Sequence, residues 1–251
     1  MPSLTARTTV ADLDPADESH VDAAAQLLAM SVHESIRGLV PYHATGYARY
    51  LKAALEPPPP LRTVLIRLVV VDGVAQGAAD WRVLPGTLFL NGIAVTEHAR
   101  GMGLARRLMA DGLAIAHGMG CPRLGLDVVT ENSVAMSFYH RLGFVSAGES
   151  YWRDVTPNSV DRTESAVQAT DWPTFRAHIR AYGFGDLNIR HCDGTPARIR
   201  QVGGNVRIDH AATCSEFFAH LPFLGAKRAF TTTPEPETNG YFSRSARMIK
   251  E

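Results

Sequence analysis

Where the apolar run Thr87 to Val95 ends, a short polar link leads into Arg100-Gly101-Met102-Gly103, and a long helical pattern follows at once. Two glycines one residue apart, at a strand-to-helix turn, suit one kind of chemistry. Lacking a Cβ, they let the backbone approach a ligand closely and aim successive amide hydrogens at it. The free amides of the first helical turn add the positive end of the helix dipole. Together these groups suit a phosphate, and Arg100, Arg106 and Arg107 bring positive charge nearby. For a Gly-x-Gly standing alone, a helix start with flexible glycines and no ligand is the competing reading. Two familiar phosphate loops fail on spacing. The nucleotide P-loop needs four residues between its glycines and a Gly-Lys-Ser/Thr ending. The dinucleotide fingerprint needs a third glycine where this chain has Arg106, and a parallel unit where this chain has a meander.

Other reactive side chains give weaker patterns. His191, Cys192, His210 and Cys214 could be drawn as a metal site, but no Cys-x-x-Cys or His-x-x-x-His pairs them, so no metal is expected. Cys121 precedes a proline at a strand start, and no His/Asp arrangement with the order of a known triad surrounds it. Three scattered cysteines read as reduced thiols of a cytoplasmic protein.

The elements that must hold the glycine turn can be traced along the chain. A strand in "TTVADLDPAD" leads to a helix that Asp17 or Ser19 can cap. A second helix in "ATGYARYLKAALE" ends at the prolines 57–60. "TVLIRLVVV", "VAQGAADWRV" and "TLFLNGIAV" follow as strands, with hairpin signals at Asp72-Gly73 and Pro85-Gly86, so they form an antiparallel meander. Then the order changes to helix, strand "CPRLGLDVV", helix "NSVAMSFYHRLGF" and strand "FVSAGESYW", which predicts a parallel pair beside the meander. The expected fold is α+β, a mixed antiparallel/parallel sheet flanked by helices. Arg153 to Ala169 reads as a linker. Beyond it come a helix with Asp171 as cap, two hairpins turning at Asp193-Gly194 and Gly203-Gly204, a short helix in "ATCSEFFAHLPFL", and a loop-like tail with room for one last strand. No repeat relates the two halves.

The 251 residues carry 25 basic and 25 acidic side chains, so neither nucleic acid nor an anionic membrane is the expected partner. No apolar run approaches the roughly 18 residues of a membrane span.

Two stretches together resemble a known family. "ARGMGLA" is similar to the Arg/Gln-x-x-Gly-x-Gly/Ala signature of the GNAT superfamily of acyl-CoA N-acyltransferases, through Arg100, Gly103 and Ala105. "IAV" resembles the strand end before it. "LGLDVVTENSVAMSFYHRLGFVSAG" resembles the second signature, through Asn132, Ala135, Tyr139, Gly143 and Phe144. The resemblance spans residues 5 to 152 and leaves the rest unassigned. It implies a GNAT-like catalytic domain over 1–153. Residues 154–251, from their own pattern of one helix, two hairpins and a short helix, are expected to be a smaller α+β extension that docks on that domain and helps wall the acceptor pocket or a homodimer interface.

The resemblance also implies a chemistry. Acetyl-CoA would be the cosubstrate and an amine, small or on a protein, the acceptor. The pyrophosphate would lie on Arg100, Gly101, Met102, Gly103, Leu104 and Ala105. The pantetheine arm would pair with Ile93, Ala94 and Val95, beside a bulge at Asn91-Gly92. Asn132 would cap its helix and touch coenzyme A. Tyr139 would protonate the departing sulfur, against a plain packing role on its helix. Asp127 falls where the ribosomal-protein N-terminal acetyltransferases carry a glutamate base, against a solvated strand-edge charge. Glu34, Asp80 and Glu97 are weaker bases, and His33 and His43 lie in the region that walls the acceptor. A noncatalytic acyl-CoA sensor and a transferase using another acyl donor are the alternatives.

Overall fold

The computed structural model describes residues 7–155, 167–191, 194–208, 221–234 and 240–251. Strand β1 (Thr8–Asp12) runs into α1 (Glu18–Met30), whose first turn is capped by Asp17 accepting from the His20 amide at 3.0 Å. Helix α2 (Tyr47–Leu55) stops before the proline run, and β2 (Val64–Val71), β3 (Val74–Leu84) and β4 (Thr87–Val95) make the expected meander. The β2–β3 turn places both Asp72 and Gly73 at positive φ, the mirror-image turn whose twist suits a hairpin. Helix α3 (Leu104–Gly118), β5 (Arg123–Val129), α4 (Ser133–Arg141) and β6 (Val145–Asp154) follow.

The second half adds β7 (Gln168–Ala169), α5 (Trp172–Tyr182), β8 (Phe184–Arg190), β9 (Pro196–Val202), β10 (Asn205–Ile208), β11 (Arg228–Thr233) and β12 (Ser243–Lys250). Asp171 is the N-cap residue of α5, but its side chain makes no capping bond. Its carboxylate instead accepts from the Asn188 amide at 2.9 Å and from Asn188 Nδ2 at 2.6 Å, fixing the helix start to β8. The short helix expected in "ATCSEFFAHLPFL" lies mostly outside the described residues.

The twelve strands of the described residues form one sheet, ordered β1-β2-β3-β4-β5-β12-β6-β11-β10-β9-β8-β7. Counted inward from either edge, the pairings are the same: three antiparallel, one parallel, one antiparallel. The two halves thus share a strand topology that their sequences do not betray. They also exchange strands. β6 follows the first half in the chain but pairs with β11, whereas β12 closes the second half but lies between β5 and β6. The boundary expected at residues 153/154 therefore does not separate two sheets. The tail supplies a central strand, and its Ala246 and Met248 sit in the core formed with α3 and α4.

That core lies on one face of the first-half strands, with Trp81, Leu88, Leu108, Leu126 and Tyr139 among its members. On the other face, α1 and α2 cover Ile66, Leu68 and Ala78. A third core joins α5 to β8, β9 and β10 through Phe175, Leu187 and Ile199. The halves meet tightly. A Cβ on Gly46 would lie 2.5 Å from the Ala181 carbonyl oxygen, so only glycine fits there. Arg49 donates to that same carbonyl at 2.9 Å, and the Tyr50 ring packs edge-on to Tyr182 and Phe184.

Candidate active site

The parallel pair β4–β5 is in register from Thr87↔Arg123 to Leu90↔Leu126 and pairs no further. Beyond Leu90 the strands fork, while β5 stays zipped to β12 as far as Val129↔Ser245. The far edge of β4 at Ile93, Ala94 and Val95 thus faces the gap, where no strand among the described residues pairs with it, and its backbone polar groups suit an extended ligand. At the fork, Asp80 pairs with Gly92 and Trp81 with Leu90, so Asn91 is the extra residue of a bulge. A Cβ at Gly92 would come within 2.8 Å of the Tyr42 hydroxyl, which explains the glycine.

Below the fork the chain enters α3 through the glycine turn. Gly101 and Gly103 have φ of 81° and 75°, a region L side chains rarely adopt, and nothing lies within 4 Å of where their Cβ atoms would be. Gly103 is the N-cap and makes no side-chain cap, so the first-turn amides of α3 have no partner inside the helix. Leu104 is buried and anchors the turn, while Arg100, Gly101, Met102 and Gly103 are exposed and Ala105 half-buried. A backbone cradle with open space above it fits a phosphate.

Helix α4 borders the same end of the sheet. Asn132 caps it, its Oδ1 accepting from the Ala135 amide at 3.1 Å. Tyr139 is buried in the core against Phe138 and Phe144, and burial pushes its phenol well above the usual tyrosine range. The group is thereby kept as a proton donor.

Asp127 lies on the opposite face of β5 from Leu126 and Val128, the face that carries α1 and α2. Its two oxygens are held by Arg247 of β12 through Nε and through Nη2, the latter at 2.9 Å. The Arg247 guanidinium also lies 5.1 Å from the Phe89 ring centre. Sequence reasoning missed this partner, since Arg247 belongs to a tail with no recognisable role.

Asp80 is fully buried on that same face. Its Oδ2 receives Arg82 Nη2 at 2.7 Å, the Tyr42 hydroxyl at 2.8 Å, Asn91 Nδ2 at 3.2 Å and the Tyr47 hydroxyl at 3.3 Å. Burial, and then the Asp80 charge, push both phenols far above their ordinary values. Burial works against the Arg82 charge, but Asp80 together with Tyr50, Tyr47 and Tyr42 outweighs it and holds the guanidinium well above its usual range. Of the remaining candidates, Glu34, His43 and Glu97 are exposed. His33 bonds Ser35 at 2.9 Å, and Ser35 in turn bonds Ser243 at 2.9 Å, tying the α1–α2 loop to β12. Cys121 is a free thiol packed against the α3 core. Of the residues weighed as metal ligands, Cys192, His210 and Cys214 lie outside the described residues.

Comparison with known proteins agrees with this geometry. Residues 24–144 match the family model "Acetyltransferase (GNAT) family". No curated protein sequence matches the chain. Among solved structures, a GCN5-related N-acetyltransferase from Sphaerobacter thermophilus is similar with a TM-score of 0.62 at 15% identity, covering 97% of this chain and 95% of that one. A tandem GNAT protein from the clavulanic acid biosynthesis pathway is similar with a TM-score of 0.67 at 15% identity, covering 97% and 98%. At such identities the likeness concerns the fold, and it runs through both halves. The family match takes in the fork, the glycine turn and α4, so residues 24–144 belong to the GNAT family, on a sheet whose order that fold shares.

Proposed function

We propose that the chain is an N-acetyltransferase that moves the acetyl group of acetyl-CoA to an amine by direct attack in a ternary complex. The observation that carries this reading is the meeting, at one end of the sheet, of the β4–β5 fork with the Gly101/Gly103 cradle. The β4 edge at Ile93 to Val95 pairs the amides of the pantetheine arm. The amides from Gly101 to Ala105, with Arg100, hold the pyrophosphate, and Asn132 adds a contact from the start of α4.

The substrate thioester supplies the acyl group. A C–N bond forms between the amine nitrogen and the carbonyl carbon, and the C–S bond breaks with its electron pair leaving on sulfur. Tyr139 gives the thiolate a proton. A backbone amide at the end of β4 polarises the carbonyl oxygen. The surplus proton of the amine passes to Asp127, through water, on the acceptor side of the fork. The second half serves this site by closing the sheet beside the fork and by bracing the α1–α2 loop, where Asn205 Nδ2 donates to the Gly38 carbonyl at 3.0 Å. The two-bond pairing of Asp127 with Arg247 is the observation that favours a noncatalytic acyl-CoA binder instead.

The test is a thermal shift followed by thiol release. Acetyl-CoA at about 100 times its Kd should stabilise the folded protein by about 2.7 kcal/mol, and Gly103→Val should abolish the shift by filling the cradle. A folded protein that shows no shift at millimolar acetyl-CoA would exclude the reading. A shift without thiol release from any amine would leave the binder.

A further inference from the structure

The transfer step leaves one polar constellation without a task. Asp80, Tyr42 and Arg82 form a buried cluster beneath the fork, and Asn91 reaches down into it from the bulge. Asp80 Oδ1 is buried with no hydrogen-bond partner among the described residues. A carboxylate is costly to bury, and a pair of apolar side chains would fill the same space more cheaply. The cluster has a directional consequence instead.

Asn91 is exposed and is the first residue of β4 past the last β4–β5 pair. Its Nδ2 donates to the Tyr42 hydroxyl at 2.6 Å and to Asp80 Oδ2 at 3.2 Å. Turning the amide over would set its Oδ1 against the carboxylate, so the chemistry of the partners fixes which end faces them. Oδ1 is therefore turned away from the cluster, at the mouth of the fork and on the acceptor face. An acceptor placed there, rigid and aimed by buried groups, suits the N–H of an attacking amine.

We infer that Asn91 is the residue that positions the acceptor amine, its Oδ1 accepting one amine N–H so that the nitrogen lone pair faces the thioester carbon, while Asp80 and Tyr42 fix the amide. This rests on the transferase reading. Asn91 moves no proton itself. Misplacement of a reacting atom by about 1 Å costs on the order of 10²-fold, which sets the scale of the effect.

The experiment measures acetyl-CoA-dependent thiol release with spermidine, kanamycin, L-lysine and a peptide bearing a free N-terminus. Wild type, Asn91→Ala, Tyr42→Phe and the double variant are compared. Asn91→Ala should lower acceptor kcat/KM by about 10–100-fold with KM for acetyl-CoA unchanged, in a protein that stays folded at the assay temperature although Tm falls with the two hydrogen bonds lost to the cluster. Tyr42→Phe should lower it less, and should cost nothing more in the Asn91→Ala background, the coupling expected of two members of one device. Unchanged acceptor kcat/KM in an active Asn91→Ala, or an equal loss in acetyl-CoA binding, overturns the inference and leaves the transferase standing. Wild type that binds acetyl-CoA but acetylates none of the amines overturns both.

Discussion

Arg247 and Asp127 stand 120 residues apart in the chain and directly opposite each other in the sheet, joined by two hydrogen bonds. The pair brings the last strand to the wall of the fork and ties the tail to the proposed site. Removing the tail and removing the pair should therefore have very different effects. A chain ending at Gly240 loses β12, which leaves β5 and β6 unpaired in the middle of the sheet and takes Ala246 and Met248 from the core. Losing one buried side chain of methionine size alone costs about 2–5 kcal/mol, comparable with the whole stability of many domains. We expect that chain to lose cooperative melting and the acetyl-CoA shift. Arg247→Met keeps the strand and breaks a half-exposed pair worth about 0–1 kcal/mol, so it should melt close to wild type. A tail-deleted protein that melts cooperatively and still binds acetyl-CoA would contradict the strand exchange.

Acid and base should separate in kinetics. Tyr139→Phe removes only the hydroxyl from a residue packed between Phe138 and Phe144, so coenzyme A binding should persist while turnover falls by about 10²–10⁴-fold. Asp127→Asn should flatten the rising limb of the pH–rate profile, and Arg247→Met, which keeps the carboxylate, should retain that limb. Identical profiles for the three proteins would assign the base elsewhere. Unchanged turnover in Tyr139→Phe, with chemistry rate-limiting, would return the tyrosine to a packing role.

Much of the first half was legible because its signals are local. The Asp72-Gly73 turn, the Asn91-Gly92 bulge, the Asn132 cap and the Gly101/Gly103 turn each follow from a few adjacent residues whose backbone preferences agree with the fold. The second half was legible as elements but not as an architecture. Asp171 was read as a cap because its position is right, yet its carboxylate is taken by Asn188, a partner that tertiary structure supplies. The insertion of β12 between β5 and β6 has no local signature at all, since "SRSARMIK" alternates like any strand. The Asp127–Arg247 pair is hidden for the same reason. Asp80 ranks low among the bases, because its tyrosine partners are Tyr42, from the α1–α2 connection, and Tyr47, the first residue of α2, and no local signal sets either against β3.

Alkaline stability follows from the buried phenols. Tyr42, Tyr47 and Tyr139 all have folded-state values above the ordinary tyrosine value, chiefly through burial. A group whose pKa is raised on folding contributes stability that is complete below its unfolded value, about 10, and is lost as pH rises toward the folded value. The urea midpoint should thus be flat with respect to these groups up to about pH 10 and then fall. Phenolate absorbance should show part of the seven tyrosines ionising only as the protein unfolds. If all seven titrate near pH 10 in a protein that remains folded, the burial of the three is wrong.

The close approach of α3 to the sheet can be tested at one atom. Gly112 lies in the middle of α3, where alanine should be preferred by about 1 kcal/mol on helix propensity alone. A Cβ at that position would stand 2.1 Å from Trp81 Cζ2 and 2.6 Å from Cε2 and Cη2, an overlap no side chain tolerates. Trp81 stands on β3 and is fully buried in the core beneath the helix. Helix and strand must move apart instead, and overpacking of this kind costs about 1–3 kcal/mol or more. The clash outweighs the propensity, so Gly112→Ala should lower Tm by several degrees, at about 2–4 °C per kcal/mol for a chain of this size. Gly118 supplies the control. It ends the same helix, with nothing within 4 Å of its Cβ position, so Gly118→Ala should be neutral or stabilising. In a Trp81→Leu background the Gly112→Ala penalty should shrink or reverse, because the ring it meets is gone. Because α3 carries the glycine cradle at its other end, the displaced helix should also bind acetyl-CoA more weakly, and calorimetric titration at a temperature where both proteins are folded reads this directly. Equal melting of Gly112→Ala and Gly118→Ala would show that the helix does not ride on Trp81.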